Sequence, residues 1–150
     1  MTLKPENTTP LFHSAQNECF GCGQANPVGL KLEFAVASHG EESFVLCDTI
    51  VSHNYEGPPG YVHGGIIATL LDEAMSKANR AGGVTAMTRQ MQVEYLHPVP
   101  SGAEIRITGR VTKSEGRKHW TAAEIQNANG KTLATATGFF IAIHRPHKTP

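Results

Sequence analysis

Gly60-Tyr61-Val62-His63-Gly64-Gly65-Ile66-Ile67-Ala68-Thr69-Leu70-Leu71-Asp72-Glu73-Ala74-Met75-Ser76-Lys77-Ala78-Asn79-Arg80-Ala81-Gly82-Gly83 is the stretch on which the architecture turns. Ile66, Ile67, Leu70, Leu71, Ala74, Met75 and Ala78 fall at helical spacing, which makes one face of the segment apolar along its length. Gly82-Gly83 stops it, and the span predicts the one long helix of the chain, roughly 18 residues. Thr69, Asp72, Glu73, Ser76, Lys77 and Arg80 form a polar stripe of the kind a solvated helix face carries. Just upstream, Asn54-Tyr55-Glu56-Gly57-Pro58-Pro59-Gly60 excludes regular structure.

On either side of this segment the period changes to two. Upstream, Leu32, Phe34 and Val36 alternate with polar neighbours over 31–36, and 43–51 is rich in Val, Phe, Leu and Ile, which predicts a pair of strands joined at Gly40-Glu41. Downstream, Met87, Met91, Val93 and Tyr95 alternate with Thr88, Gln90, Gln92 and Glu94 until Pro98 and Pro100 interrupt. Ile105, Ile107 and Val111 alternate with Glu104, Arg106 and Arg110. A strand over 120–125, a turn at Asn129-Gly130 and a last strand over 133–143 follow. Trp120 reads as a core residue on an apolar strand face. Two strands, one helix and about four more antiparallel strands give an α+β class, with the sheet curled round a central helix too rich in Ile, Leu and Ala to stay wet. Residues 1–150 read as one domain with an irregular arm over 1–17.

Composition narrows the function. Hydrophobic residues are 39% and charged residues 17%, a globular balance. Thirteen basic residues match thirteen acidic ones, so the surplus of positive charge that nucleic acid or a membrane surface demands is missing. Neither a signal peptide nor an apolar run approaching the ~20 residues of a membrane span is visible, and three cysteines, an odd number, fit reduced thiols in the cytoplasm. Cys19 and Cys22 have the spacing of half a zinc site, but four ligands are needed and the nearest further ones are His13 and Cys47. A thiol pair bracing the loop is the expectation, with no metal and no cofactor. His13, His39, His144 and His147 have no partner at ligand spacing, and His97 beside Pro98 reads as structural.

Two places can carry chemistry. Where the Gly/Pro-rich loop becomes helix, at His63-Gly64-Gly65, backbone N–H groups lack intrahelical acceptors, and the dipole adds partial positive charge. Such donors suit a carbonyl whose oxygen gains charge during attack, although Gly pairs at helix starts also serve loop entry and close packing. Asp72 is the second candidate, with a solvated face as its bland alternative. It follows His63 by nine residues, which places the two on opposite sides of the helix and ~13 Å apart along its axis. One chain therefore cannot use both on one substrate, and two copies related by a two-fold axis can.

The run from Glu56 through His63-Gly64-Gly65 to Asp72 resembles the PaaI-like hotdog thioesterases, and within them the branch of mitochondrial long-chain acyl-CoA thioesterases of the thioesterase-superfamily-member type. The likeness continues through Ala81-Gly82-Gly83, Thr88, Tyr95-Leu96-His97-Pro98-Val99-Pro100 and Glu115-Gly116-Arg117-Lys118, and covers about 43–143. The resemblance implies a hotdog fold, hydrolysis of acyl-CoA in which CoA belongs to the substrate, and sites shared across a homodimer or homotetramer. It assigns Asp72 as general base or nucleophile, the Gly65 N–H as the group polarising the carbonyl with Gly64 and His63 beside it, and Thr88 as a hydroxyl placing the water. It puts Glu94, Arg106, Arg117 and Lys118 near the CoA part. The family's Asn six residues before the His is replaced here by Gly57, leaving Asn54 or Glu56 as substitutes or no polar partner. A non-catalytic acyl-CoA binding module is the alternative. An enoyl-CoA hydratase ranks third, because its Asp–His pair has no counterpart in His63 and Asp72.

Overall fold

The computed structural model describes residues 7–143; His144 and His147 lie outside them. Seven strands and one long helix follow one another as β1 (Asn7–Pro10), β2 (Ala35–His39), β3 (Glu42–Ile50), a 3-10 turn (His53–Tyr55), α1 (Gly64–Ala81), β4 (Ala86–Tyr95), β5 (Glu104–Glu115), β6 (Lys118–Asn127) and β7 (Thr132–Ala142). The strands form a single antiparallel sheet in the order β1-β2-β3-β5-β6-β7-β4. α1 lies across its inner face.

Packing follows the two periodicities. Ile67, Leu70, Leu71, Ala74, Met75 and Ala78 of α1 are buried against Val45, Cys47, Ile105, Ile107, Ile125, Ala136 and Phe140 of the sheet. The contact is tight at Gly109, where any Cβ would collide with the backbone of Ala74. Only a residue without a side chain lets helix and strand approach so closely.

Three elements differ from the sequence expectation. The first 17 residues are not wholly irregular: Asn7–Pro10 pairs with Ala35–Ser38 as an added outer strand, fully exposed and without apolar alternation. The expected strand over 31–36 starts later, at Ala35. Leu32 and Phe34 are buried as their alternation requires, but Lys31 adopts φ 52°, and the Leu30 and Leu32 N–H groups donate to the carbonyls of Phe20 and Gly21 instead of a strand. A left-handed residue cannot continue a pleated ladder. Trp120 is not a core residue. Ile125 and Ala123 point inward, so the period of two forces Trp120 outward and turns His119 in. On the outer face Trp120 stacks on Phe139 at 5.2 Å, with Lys113 over its ring at 4.9 Å.

The polar stripe of α1 divides in two. Residues 11–34 fold back over Glu73, Lys77 and Arg80: the Arg80 guanidinium donates to the Phe12 carbonyl at 2.7 Å, and Lys77 is buried. Thr69, Asp72 and Ser76, on the other flank, are covered by no such loop and stay half-buried.

Candidate functional site

The start of α1 is held from three sides. Val62 N–H donates to the Val99 carbonyl, His63 N–H to the Tyr55 carbonyl, and Glu56 forms a bridge with Val62. His63 caps the helix, its Nδ1 accepting from the Gly65 N–H at 2.9 Å. Nδ1 therefore carries no proton while that bond stands. Gly64 is the first helical residue, whose N–H no intrahelical carbonyl reaches. Its own carbonyl accepts from the Tyr95 hydroxyl at 2.9 Å, and the Tyr95 ring packs on its Cα side. Sequence reasoning missed Tyr95 as part of this end of the site, because its partner Gly64 stands 31 positions away.

Two turns further along the helix, the Thr88 hydroxyl donates to Asp72 Oδ1 at 2.6 Å. Thr88 lies at the start of β4 beside an irregularity between Thr88 and Gln90, where Arg89 has no partner on β7. Such a bulge re-aims a side chain at a strand edge. Asp72 and Thr88 are thus brought together in one chain. His63, Gly64 and Gly65 are not near them: they sit at the other end of β4, beside Tyr95.

The residues expected around the CoA part fall into two groups. Lys118 stands opposite Ile141, which in turn stands opposite Met87, so Lys118 and its neighbour Arg117 lie at the Thr88 end of the sheet, about 10 Å away across two strand spacings. Lys118 is exposed, and Arg117 Nε donates to the Ala142 carbonyl at 2.9 Å. Arg106 and Glu94 lie toward the Tyr95 end. There Arg106 is engaged side-on with Asp48, Nε to Oδ1 at 2.7 Å and a terminal nitrogen to Oδ2 at 2.8 Å, and this hydrogen-bonded carboxylate raises the guanidinium pKa. A two-pronged carboxylate contact of this kind uses the geometry that would hold a phosphate.

Gly57 explains itself sterically. A Cβ there would stand 3.2 Å from His63 Cα, a tight contact that asks the cap to shift by a few tenths of an ångström. Of its two expected substitutes, Glu56 is occupied: its Oε1 accepts from Ser101 Oγ at 2.6 Å, and that bond, with a second from the Gly60 backbone, holds its carboxyl below the usual range. Asn54 lies exposed in the 3-10 turn.

The family model of the thioesterase superfamily matches residues 59–134, which include the His63 cap, Asp72 and the whole of β4. Acyl-coenzyme A thioesterase THEM4 of Xenopus laevis is 35% identical over 118 residues, 77% of this chain and 52% of the relative. THEM4 of Rattus norvegicus is 33% identical over 116 residues, 77% of this chain and 50% of the relative. The chain thus spans about half the length of these curated relatives. Among solved structures, a thioesterase superfamily protein superposes with a TM-score of 0.75 at 31% identity, over 85% of this chain and 60% of that one. A Streptococcus mutans protein bound to acetyl CoA gives 0.66 at 25% identity, over 75% and 90% of the two chains. PaaI of E. coli shares the fold, with a TM-score of 0.64 at 23% identity over 72% and 82%.

Proposed function

The chain belongs to the thioesterase superfamily and has the hotdog fold of its solved relatives, and from that premise we propose that it hydrolyses acyl-CoA thioesters to a free acid and CoA. The observation that carries the reading is the 2.6 Å hydrogen bond from Thr88 to Asp72 on the uncovered flank of α1. The hydroxyl fixes Asp72 Oδ1 and leaves Oδ2 to take a proton from water, whose oxygen attacks the thioester carbon. The C–S bond then breaks, and the sulfur leaves as the CoA thiol once protonated. The carbonyl oxygen, negative during attack, needs donors. The Gly64–Gly65 helix start supplies them, the substrate oxygen replacing His63 Nδ1 as the acceptor of the Gly65 N–H.

Base and donors lie two turns apart on α1, about 10 Å along its axis from Gly65 to Asp72, and face opposite ends of β4. That is too far for one substrate carbonyl and its attacking water, so the site is assembled from two subunits. β4 is the last strand of the sheet, and its outer edge has no strand partner among the described residues. Met87 and Tyr95 are exposed along it. Antiparallel pairing of two such edges about a two-fold axis near the middle of β4 brings the Thr88 end of one copy towards the Tyr95 end of the other. That brings the carboxylate of one chain to the helix start of the second. Lys118 and Arg117 at the Thr88 end suit the CoA phosphates.

The test is thiol release from acyl-CoA esters of graded length by wild type and Asp72→Asn. Loss of turnover by about 10²–10⁴-fold in the variant, with ester binding retained, is expected of a general base. Equal turnover in both proteins would refute the role of Asp72. The second reading, a module that binds acyl-CoA without cleaving it, is favoured by the Gly65 N–H being already satisfied by His63. Tight ester binding with no thiol release by wild type would establish it.

A further inference from the structure

The loop Cys19-Phe20-Gly21-Cys22-Gly23 crosses α1 on the flank away from Asp72. The Gly23 N–H donates to the Cys19 carbonyl at 2.8 Å, closing a turn that presents both thiols to the helix. The two sulfurs and a Glu73 carboxylate oxygen all lie within 4.8 Å of one another. Cys19 Sγ stands 3.6 Å from Glu73 Oε1. Gly21 makes the approach feasible, since any Cβ there would overlap the Glu73 side chain. Lys77, one turn on, is buried, with Nζ 3.1 Å from Cys22 Sγ and 3.6 Å from Glu73 Oε2. Glu73 Oε2 is itself buried and accepts no hydrogen bond from any described residue.

This is more polarity than a loop brace requires. A pair of small hydrophobic thiols would fasten the loop without burying a lysine and a carboxylate oxygen, both of which are costly to desolvate. We propose that Cys19, Cys22 and Glu73 form a three-ligand site for Zn2+, completed by a water, with Lys77 donating to the Cys22 sulfur from outside the coordination sphere.

Geometry supports the ligand set. Zn–S bonds of about 2.3 Å and Zn–O bonds of about 2.0–2.2 Å at a tetrahedral angle separate sulfur from oxygen by roughly 3.5–3.7 Å. Cys19 and Glu73 already stand at that separation. Charge supports it as well. Glu73 and Lys77 cancel, and exchange of the two thiol protons for one Zn2+ leaves the net charge of the buried site unchanged. Both protons go to solvent. Two thiolates select a soft or borderline ion over Mg2+ or Ca2+. The Lys77 ammonium is the kind of donor that tunes a thiolate ligand.

Neither of the nearest further candidates in the sequence belongs to the cluster: Cys47 lies in β3 opposite Ile107, and His13 Nδ1 accepts from Arg80 at 2.7 Å. The third ligand is Glu73, which the sequence pattern placed on a solvated face. Because the site ties residues 19–22 to the middle of α1, its role is to anchor the loop, and it stands independently of any thioester chemistry.

Full-length protein without a histidine tag, kept reduced and stripped with a chelator, is titrated with Co2+ and then with Zn2+. The expected result is one Co2+ per chain with the visible bands of tetrahedral coordination and a sulfur-to-cobalt charge-transfer band. Zn2+ then displaces the cobalt, about two protons are released per metal, and the thermal midpoint rises. Cys22→Ser, with one of two thiolates gone, weakens the charge-transfer band by about half or more, and Glu73→Gln, a near-isosteric change that preserves the fold, weakens binding while leaving that band in place. Absence of stoichiometric metal in wild type, an octahedral cobalt spectrum, or unchanged affinity in Glu73→Gln overturns the site.

Discussion

Thr88 donates to an anion, and a hydrogen bond to a charged group contributes about 1.5–3 kcal/mol. If that energy holds Asp72 in position to take the proton from water, Thr88→Val lowers kcat by about 10- to 100-fold with little change in KM. Steady-state kinetics on the best ester separates the two parameters, and a change in KM alone would assign Thr88 to binding. His13 makes a different prediction. Burial first, then the charges of Lys77 and Arg80, push its pKa from 6.5 down to about 4. Below 6.5 the unfolded chain takes up a proton that the folded chain refuses, so stability falls as pH drops from 6.5 towards 4. Urea midpoints at about pH 7 and about pH 5 should show that fall in wild type and less of it in His13→Gln, whose amide oxygen can still accept from Arg80. At this scale the sequence was only partly informative. The residues alone left Asp72 on a polar stripe, and family likeness singled out its role together with Thr88. The contacts of Glu73, Lys77 and Arg80 were illegible because their partners stand 54 to 68 positions away.

Elements whose pattern is set by burial were read well. α1 runs over Gly64–Ala81, where seven apolar residues at helical spacing and a terminal glycine pair placed it. The strands that cross it follow their alternation because one face must be dry. Leu71 is completely buried in the shared core, so Leu71→Ala should cost about 2–5 kcal/mol, read as a lower urea midpoint. Elements set by backbone events were not legible. β1 carries no apolar period, Lys31 breaks the alternation over 31–36 through one dihedral angle, and Trp120 was placed on an apolar strand face when strand parity decided otherwise. The Arg89 irregularity in β4 belongs with these, and it sits beside Thr88.

For the whole molecule, the separation of Asp72 from the helix start makes a prediction no single chain can satisfy. Asp72→Asn and Gly65→Pro, the second lacking the donating N–H, should each be inactive alone. Mixed after dissociation and reassociated at random, half the pairs contain one intact site, and roughly a quarter of wild-type turnover should return. No recovery in demonstrably mixed pairs would mean that base and donors act within one chain. The edge of β4, unpaired among the described residues, then has a consequence for kinetics under the proposed pairing. An enzyme whose site is divided between two chains has a specific activity that depends on its own concentration. On dilution below the dissociation constant of the pair, the number of working sites falls with the square of the total protein, and prolonged dilution switches the protein off without any inhibitor.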